Sequence, residues 1–159
     1  MAQRLATLFR THPAWKDAAS RIADGATSAV WLSHIPEQRY RLERRAGETL
    51  LLEGGSKDPD FAFRFTPGAV ERLEAVHGGI GDFAVALFQC MLEEDESAKV
   101  GLRIVAPFHR LAWRGYLRLL LDAGPAVLRF GAKHGVASVS ALRQLVASLR
   151  SQPPEPWEI

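Results

Sequence analysis

The chain has 159 residues, of which 47% are hydrophobic and 24% charged, a composition typical of one folded domain. Its net charge of +2 comes from 20 basic and 18 acidic side chains that are interspersed over most of the sequence, which argues against a general nucleic-acid-binding protein. The single cysteine, Cys90, excludes an intrachain disulfide, and we find neither a signal peptide nor an apolar run of the ~20 residues that span a membrane. We therefore expect a cytoplasmic protein with one sizeable core.

The first part of the chain predicts two short helices followed by a meander of three strands. Leu5, Leu8 and Phe9 share one face of the first helix, and Pro13 begins the second, which ends before Gly25. Alternating side chains then predict strands over residues 28–33, 38–43 and 49–52.

The middle of the chain begins with the turn signal Asp58-Pro59-Asp60. Phe61, Phe63 and Phe65 follow at a spacing of two, which places three rings on one face of a strand. Thr66 is a good N-cap for the next helix, because its hydroxyl can accept a hydrogen bond from a free amide of the first turn, and Pro67 suits the first helical position.

A second helix follows the glycine-rich residues 78–81, with Asp82 as its predicted N-cap. Its residues up to Leu92 are apolar nearly all round. Such a helix must be covered on more than one side or must face an interior space that something apolar fills. A strand over 99–105 and a helix from Pro107 to about Asp122 complete this part of the chain.

The C-terminal part predicts a short strand over 126–130, a loop over 131–135 and a last helix capped by Ser138 or Ser140. That helix resembles a lid or an oligomer face, and residues 151–159, with three prolines, are expected to be extended and mobile. We divide the chain into one domain over 1–150, with an N-terminal helical segment (1–25), a core (28–123) and a C-terminal extension (125–150). The apolar stripe of the last helix consists of Val139, Leu142, Leu145, Val146 and Leu149.

Several of these features together resemble the sterol-carrier-type, non-specific lipid-transfer domain. They are Asp58-Pro59-Asp60 leading into the strand with the three Phe residues, the helix start at Thr66-Pro67, the apolar helix, and the strand that is followed directly by a helix. The resemblance covers most of the chain. It departs from the family at residues 97–101, which replace a Gly-rich segment, and in about thirty extra C-terminal residues. It implies a twisted antiparallel sheet with helices on one face, an apolar tunnel between the layers and no catalytic residues.

We thus expect an α+β fold with a five-stranded, mainly antiparallel twisted sheet, helices packed on one face and an enclosed apolar cavity. The sequence does not distinguish a close-packed core from a lined cavity, and the resemblance favours the cavity. The residues predicted to line it, and so to bind a lipid or another hydrophobic molecule, are Phe61, Phe63, Phe65, Phe83, Leu87, Phe88, Met91, Leu102, Ile104, Leu111, Tyr116 and Leu120.

The sequence gives little support for a catalytic site or a metal site. Cys90 lies between apolar neighbours, where a small buried thiol is the usual occupant. The histidines lack the spacing of a zinc site, so we expect no metal, no cofactor and no enzyme activity. They are His12, His34, His77, His109 and His134.

Two functions remain open. One is binding or carriage of a lipid in the cavity, with Arg64, Arg103 or Tyr116 orienting its polar end. The basic stripe of Arg110, Arg114 and Arg118 would then contact an anionic membrane transiently, beside Trp113. The other is a protein-interaction or accessory module with a solid core, which would use the same stripe or the last helix.

Overall fold

The computed structural model describes residues 1–136, 138–151, 153–154 and 158. Within them, the chain forms one sheet of five strands and eight helices. The strands are β1 (Thr27–Leu32), β2 (Arg39–Arg45), β3 (Glu48–Glu53), β4 (Phe61–Phe65) and β5 (Val100–Ile104). The helices are α1 (Ala2–Thr11), α2 (Pro13–Ala19), α3 (Pro67–Glu74), α4 (Ile80–Met91), α5 (Phe108–Trp113), α6 (Tyr116–Asp122), α7 (Pro125–Lys133) and α8 (Val139–Ser151).

The strand order is β3-β2-β1-β4-β5. Three of the four neighbouring pairs are antiparallel, and the central pair of β1 and β4 is parallel, with Val30 opposite Phe63. The predicted five-stranded, mainly antiparallel α+β fold is confirmed. The last strand lies at an edge, beside β4.

Alternation along the strands divides the sheet into two faces. The inner face carries Val30, Leu32, Phe63 and Phe65, which pack in the main core together with buried residues of α1, α3 and α4. The opposite, outer face carries a small cluster around Trp31. The helical layer is therefore built on the face that holds the three Phe rings.

The start of α3 agrees with the prediction, whereas the start of α4 does not. Thr66 Oγ1 accepts a hydrogen bond from Ala69 N at 3.3 Å, as an N-cap should. The predicted N-cap Asp82 is wrong, because α4 begins earlier, with Gly79 as its N-cap. Asp82 instead lies in the first turn and accepts a hydrogen bond from Gly79 N at 3.1 Å, since a carboxylate there also satisfies a free amide.

Two further predictions of secondary structure are wrong. The helix predicted from Pro107 to Asp122 is two helices, because Gly115, at φ 91°, interrupts it in the left-handed region. The strand predicted over 126–130 is part of α7, which begins at Pro125. Short apolar runs fit either structure, and the proline at the first helical position decides here.

The C-terminal helix α8 packs beside the β5 edge. Ser138 Oγ accepts a hydrogen bond from Ala141 N at 3.1 Å and so caps the helix as predicted. Val146 joins a cluster with Ile104 and Leu111. The side chains of Val139, Leu142 and Leu145, and residues 152, 155–157 and 159 of the tail predicted to be mobile, lie outside the described part of the chain.

Candidate apolar binding surface

Helix α4 is apolar along almost its whole length, yet the fold buries little of it. Only Ile80, Phe83 and Cys90 are buried, while the side chains from Ala84 to Phe88 and that of Met91 stay partly exposed. Water therefore reaches apolar side chains on several sides of a helix that has few polar ones. An incompletely covered apolar helix of this kind is typical of a surface that binds another apolar group.

The neighbours of α4 explain which sides are covered. The helix contacts α2, α3 and α7, and it also lies against β5. Leu87 and Met91 pack on the main core, and the Phe88 ring stacks with that of Phe130 in α7 at a centroid distance of 5.9 Å. Partly exposed side chains of α4 and of the inner face of the sheet thus pack on the same core.

A row of aromatic rings runs along that inner face. The ring centroids of Phe61 and Phe63 are 5.7 Å apart, and those of Phe63 and Phe65 are 5.6 Å apart. Phe65 is buried, but Phe61 and Phe63 are only partly so. Leu102 on β5 lies opposite Phe63 and is also partly exposed. The row is therefore buried at Phe65 and partly open to solvent at its other two rings.

Eleven of the twelve residues predicted to line a cavity are distributed over three packed clusters, and Leu102 belongs to none of the three. Four of the twelve are buried: Phe65, Phe83, Ile104 and Leu111. Eight are partly exposed: Phe61, Phe63, Leu87, Phe88, Met91, Leu102, Tyr116 and Leu120. The first cluster holds Phe63, Phe65, Phe83, Leu87 and Met91, the second Phe88 and Leu120, and the third Phe61, Ile104, Leu111 and Tyr116. Their role in binding stays a prediction.

Two depressions in the protein surface lie elsewhere. Their volumes are about 350 and 260 Å³, and both border α1 or α3 rather than α4 and the sheet. None of the twelve predicted residues lines either one. The first is lined by Met1, Gln3, Arg4, Thr7 and Glu74, and the second by His12, Pro13, Glu74, Val76, His77 and Gly78.

A buried carboxylate closes the Phe61 end of the aromatic row. The side chain of Asp60 has no exposed surface, and its Oδ2 accepts hydrogen bonds from Arg114 at 2.6 Å and from the Tyr116 hydroxyl at 3.1 Å. Arg110 Nε lies 3.2 Å from Oδ1. The ring of Tyr116 packs edge-on against Phe61 at 4.9 Å. The apolar row therefore ends at a charged and hydrogen-bonded group.

Burial has a clear electrostatic effect on Tyr116. The pKa of its hydroxyl is raised far above the ordinary value, first because burial disfavours the phenolate and second because of the negative charge of Asp60. Tyr116 therefore stays a neutral donor to Asp60 throughout the physiological range. Its hydroxyl is occupied by this bond, which limits it as a group for orienting a ligand.

The arginine stripe predicted for membrane contact is split by the same cluster. Arg110 pairs with Asp58 and Asp60, and Arg114 with Asp60, so that both guanidinium groups turn toward the start of β4. Arg118 is 78% exposed and lies 3.7 Å from Asp122. Sequence reasoning treated Asp60 only as a turn residue, and the signal that could have found its role is the pair of arginines at a spacing of four.

The other two candidates for orienting a polar group lie on the opposite face of the sheet. Because Arg64 alternates with Phe63 and Phe65, its side chain projects away from the apolar layer, where it lies 3.6 Å from Glu96. Arg103, opposite Ala62, likewise projects outward, and its Nε donates to Glu158 at 2.6 Å.

Cys90 and the histidines are the side chains considered for catalysis or metal binding. Cys90 is buried, and burial raises the pKa of its thiol, which disfavours the nucleophilic thiolate. His12 Nε2 lies 2.9 Å from the carbonyl oxygen of Val76. Across the described ranges, no three His, Cys, Asp or Glu side chains come together as a metal site would require. None of the described helices combines the length and apolar character needed to cross a membrane.

Comparison with known proteins gives a similarity of overall shape to solved structures. Neither a protein-family model nor a curated protein matches the sequence. A solved structure titled "UbiJ-SCP2 Ubiquinone synthesis protein" is similar, with a TM-score of 0.44 and 16% identity over 77% of this chain and 86% of that chain. The SCP2 of that title is the sterol-carrier domain, the type of domain that the sequence resembles.

Proposed function

We propose that the chain binds a lipid or another hydrophobic molecule without changing it covalently, at the apolar surface between α4 and the β4–β5 edge. We define this apolar surface by Phe61, Phe63, Leu87, Met91 and Leu102. The observation that carries the proposal is the incomplete burial of α4, whose apolar side chains remain partly exposed although the helix lies in the helical layer. A bound apolar molecule would remove these side chains from water.

The binding energy would come mainly from burial of apolar area. At about 25 cal/mol per Å², burying 400 Å² contributes about 10 kcal/mol before the costs of ordering the ligand and protein are subtracted. Few polar contacts are then needed. The Asp60 cluster bounds the surface at one end, so the apolar part of a ligand is expected to extend from Phe61 toward α4.

A non-catalytic role fits the state of the groups that could do chemistry. The thiol of Cys90 is buried with a raised pKa, and the Tyr116 hydroxyl is held by Asp60. The lone cysteine also favours a reducing compartment, and we infer a cytoplasmic location on that ground. The transient membrane contact predicted through Arg110, Arg114 and Arg118 is not part of this proposal, because Asp58 and Asp60 hold the first two.

The test is binding of a fluorescent fatty acid to the purified chain, together with native mass spectrometry of the same sample. Leu102→Asp should weaken binding by about tenfold or more, because a carboxylate at the apolar surface is costly to desolvate. Leu92→Asp is the matched control, since Leu92 ends α4 and is 56% exposed outside the apolar surface. A bare protein mass after incubation with mixed lipids, or equal binding by folded Leu102→Asp and wild type, would contradict the proposal.

The second candidate is a protein-interaction module with a solid core. It is favoured because eleven of the twelve predicted residues pack into three separate clusters and four of the twelve residues are buried. In that case the wild type binds no fatty acid, and Leu102→Asp affects stability alone. One titration with the fluorescent fatty acid therefore distinguishes the two candidate functions.

A further inference from the structure

Charge is unevenly distributed along the chain. Residues 107–151, which include α5 to α8, contain seven basic side chains and one acidic side chain, Asp122. This segment has a net charge of +6, whereas the whole chain has +2. The positive potential of the protein is therefore concentrated on the C-terminal helices. The basic residues are Arg110, Arg114, Arg118, Arg129, Lys133, Arg143 and Arg150.

Exposed large apolar side chains are concentrated in the same helices. Among the described residues, four large hydrophobic side chains are classed as exposed, and three of them belong to α5, α6 and α7. Trp113 is 88% exposed, Leu121 64% and Leu128 56%. A tryptophan with so much of its ring in water at the end of a helix contributes nothing to the core, which points to an external partner.

The packing of α6 and α7 shows which of their sides remain open. Leu119, Leu120 and Val127 face the cluster that contains Ile80 and Phe88 of α4. The opposite sides of the two helices then carry the exposed residues. Besides Asp122, which pairs with Arg21 and Arg118, they include Arg118, Leu121, Leu128, Arg129 and Lys133.

We propose that these five residues, together with Trp113, form a docking surface for an anionic lipid bilayer. Basic side chains mixed with leucine and an exposed tryptophan match the membrane interface, where guanidinium groups meet lipid phosphates and the indole lies at the headgroup level. A phosphate backbone of a nucleic acid would pair with the basic side chains but would offer the exposed leucines no apolar partner. Arg110 and Arg114 are not part of this surface, because the buried Asp60 holds both and their side chains are only 21% and 23% exposed. Arg118, by contrast, is 78% exposed although it lies near Asp122.

The proposal stands apart from lipid binding at the apolar surface, because the two surfaces share no residue. It states where the chain meets a bilayer, whereas the proposed function concerns a single bound molecule. The binding of each can therefore be measured separately, with vesicles for the docking surface and with a soluble fatty acid for the apolar surface.

The experiment is co-sedimentation of the full chain with vesicles of phosphatidylcholine containing 30% phosphatidylglycerol. Each basic side chain near an anionic surface contributes about fivefold to binding, so Arg118→Gln with Arg129→Gln should lower the partition coefficient by about twenty-fivefold. Arg45→Gln with Lys57→Gln is the control of equal charge, because both residues are exposed in the N-terminal half. This control should lose less than about threefold through net charge alone.

A second readout follows Trp113 directly. Vesicles containing brominated lipid should quench tryptophan emission in the wild type, and the quenching should largely disappear in Trp113→Phe. An absence of binding to anionic vesicles, an equal loss in the two double variants, or unchanged quenching in Trp113→Phe would each overturn the proposal. Fatty-acid binding should persist in Arg118→Gln with Arg129→Gln, so failure of one function is distinguishable from failure of the other.

Discussion

Replacing Asp60 by asparagine tests whether the buried carboxylate fastens α5 and α6 to the start of β4. Asparagine keeps the size of the side chain but removes the charge that Arg110 and Arg114 share. Both arginine side chains are about one-fifth exposed, at 21% and 23%, so water compensates part of the loss. Removing one partner of a buried ion pair costs about 3–5 kcal/mol, and with this exposure we expect about 3 kcal/mol.

The measurement is urea unfolding of the wild type and Asp60→Asn at pH 7, supported by thermal unfolding. A loss of about 3 kcal/mol in the free energy of unfolding should lower the midpoint at an unchanged slope and reduce the Tm by about 6–12 °C. Asp58→Asn is the matched control. Asp58 also pairs with Arg110, but its side chain is 72% exposed, so its loss should cost less than about 1 kcal/mol. Equal costs for the two variants, or an Asp60→Asn variant as stable as the wild type, would refute this reasoning.

Three further predictions concern single contacts. Thr66→Ala should cost about 1–2 kcal/mol in urea unfolding because Ala69 N loses its cap, while Thr66→Ser should restore most of it. Gly115→Ala should destabilise the chain more than Gly124→Ala. At both positions φ is positive, so a side chain there costs about 1–2 kcal/mol, but of the two only Gly115 would place the added Cβ against a backbone carbonyl oxygen. The pKa of Tyr116 is raised in the folded state, so its contribution to stability is complete below about pH 10, the unfolded value, and is lost above it. Between pH 10 and 11 the wild type should therefore lose about 1 kcal/mol more than Tyr116→Phe, and equal slopes in the two proteins would contradict the burial of the phenol.

The predictions from sequence were most accurate for elements that depend only on residues close together in the chain. The strand Phe61–Phe65 and the cap at Thr66 follow from a spacing of two and from one hydroxyl next to a proline. Such signals act within a few residues and do not depend on the rest of the fold. The same is true of the serine cap of α8.

The features that sequence reasoning missed depend on contacts between distant parts of the chain. The break at Gly115 is fixed by the close approach of the Arg21 carbonyl, which leaves no room for a side chain. Asp60 acquires its role only when α5 and α6 return to the start of β4, more than fifty residues later in the chain. Regular spacing of the arginines indicated a continuous basic stripe, and only the fold shows that two of them are used internally.

The candidate site was predictable in its residue types but not in its exposure. Composition indicates that α4 is apolar, yet it cannot say that only Ile80, Phe83 and Cys90 are covered. That outcome depends on where α7 and β5 come to lie against the helix. The high exposure of Trp113 was equally hidden, because a tryptophan in an apolar helix is buried in most folds.

The strand order also has a consequence for synthesis of the chain on the ribosome. One side of β4 pairs with β1, which is already made, but its other side pairs with β5, which emerges only after α3 and α4. During that interval β4 presents an open hydrogen-bonding edge next to Phe61, Phe63 and Phe65. Such an edge is a template for association with other chains. Nascent chains whose synthesis stops before Val100 should therefore aggregate or recruit chaperones. Chains that extend beyond Ile104 should do so less, because β5 can then pair with the open edge of β4.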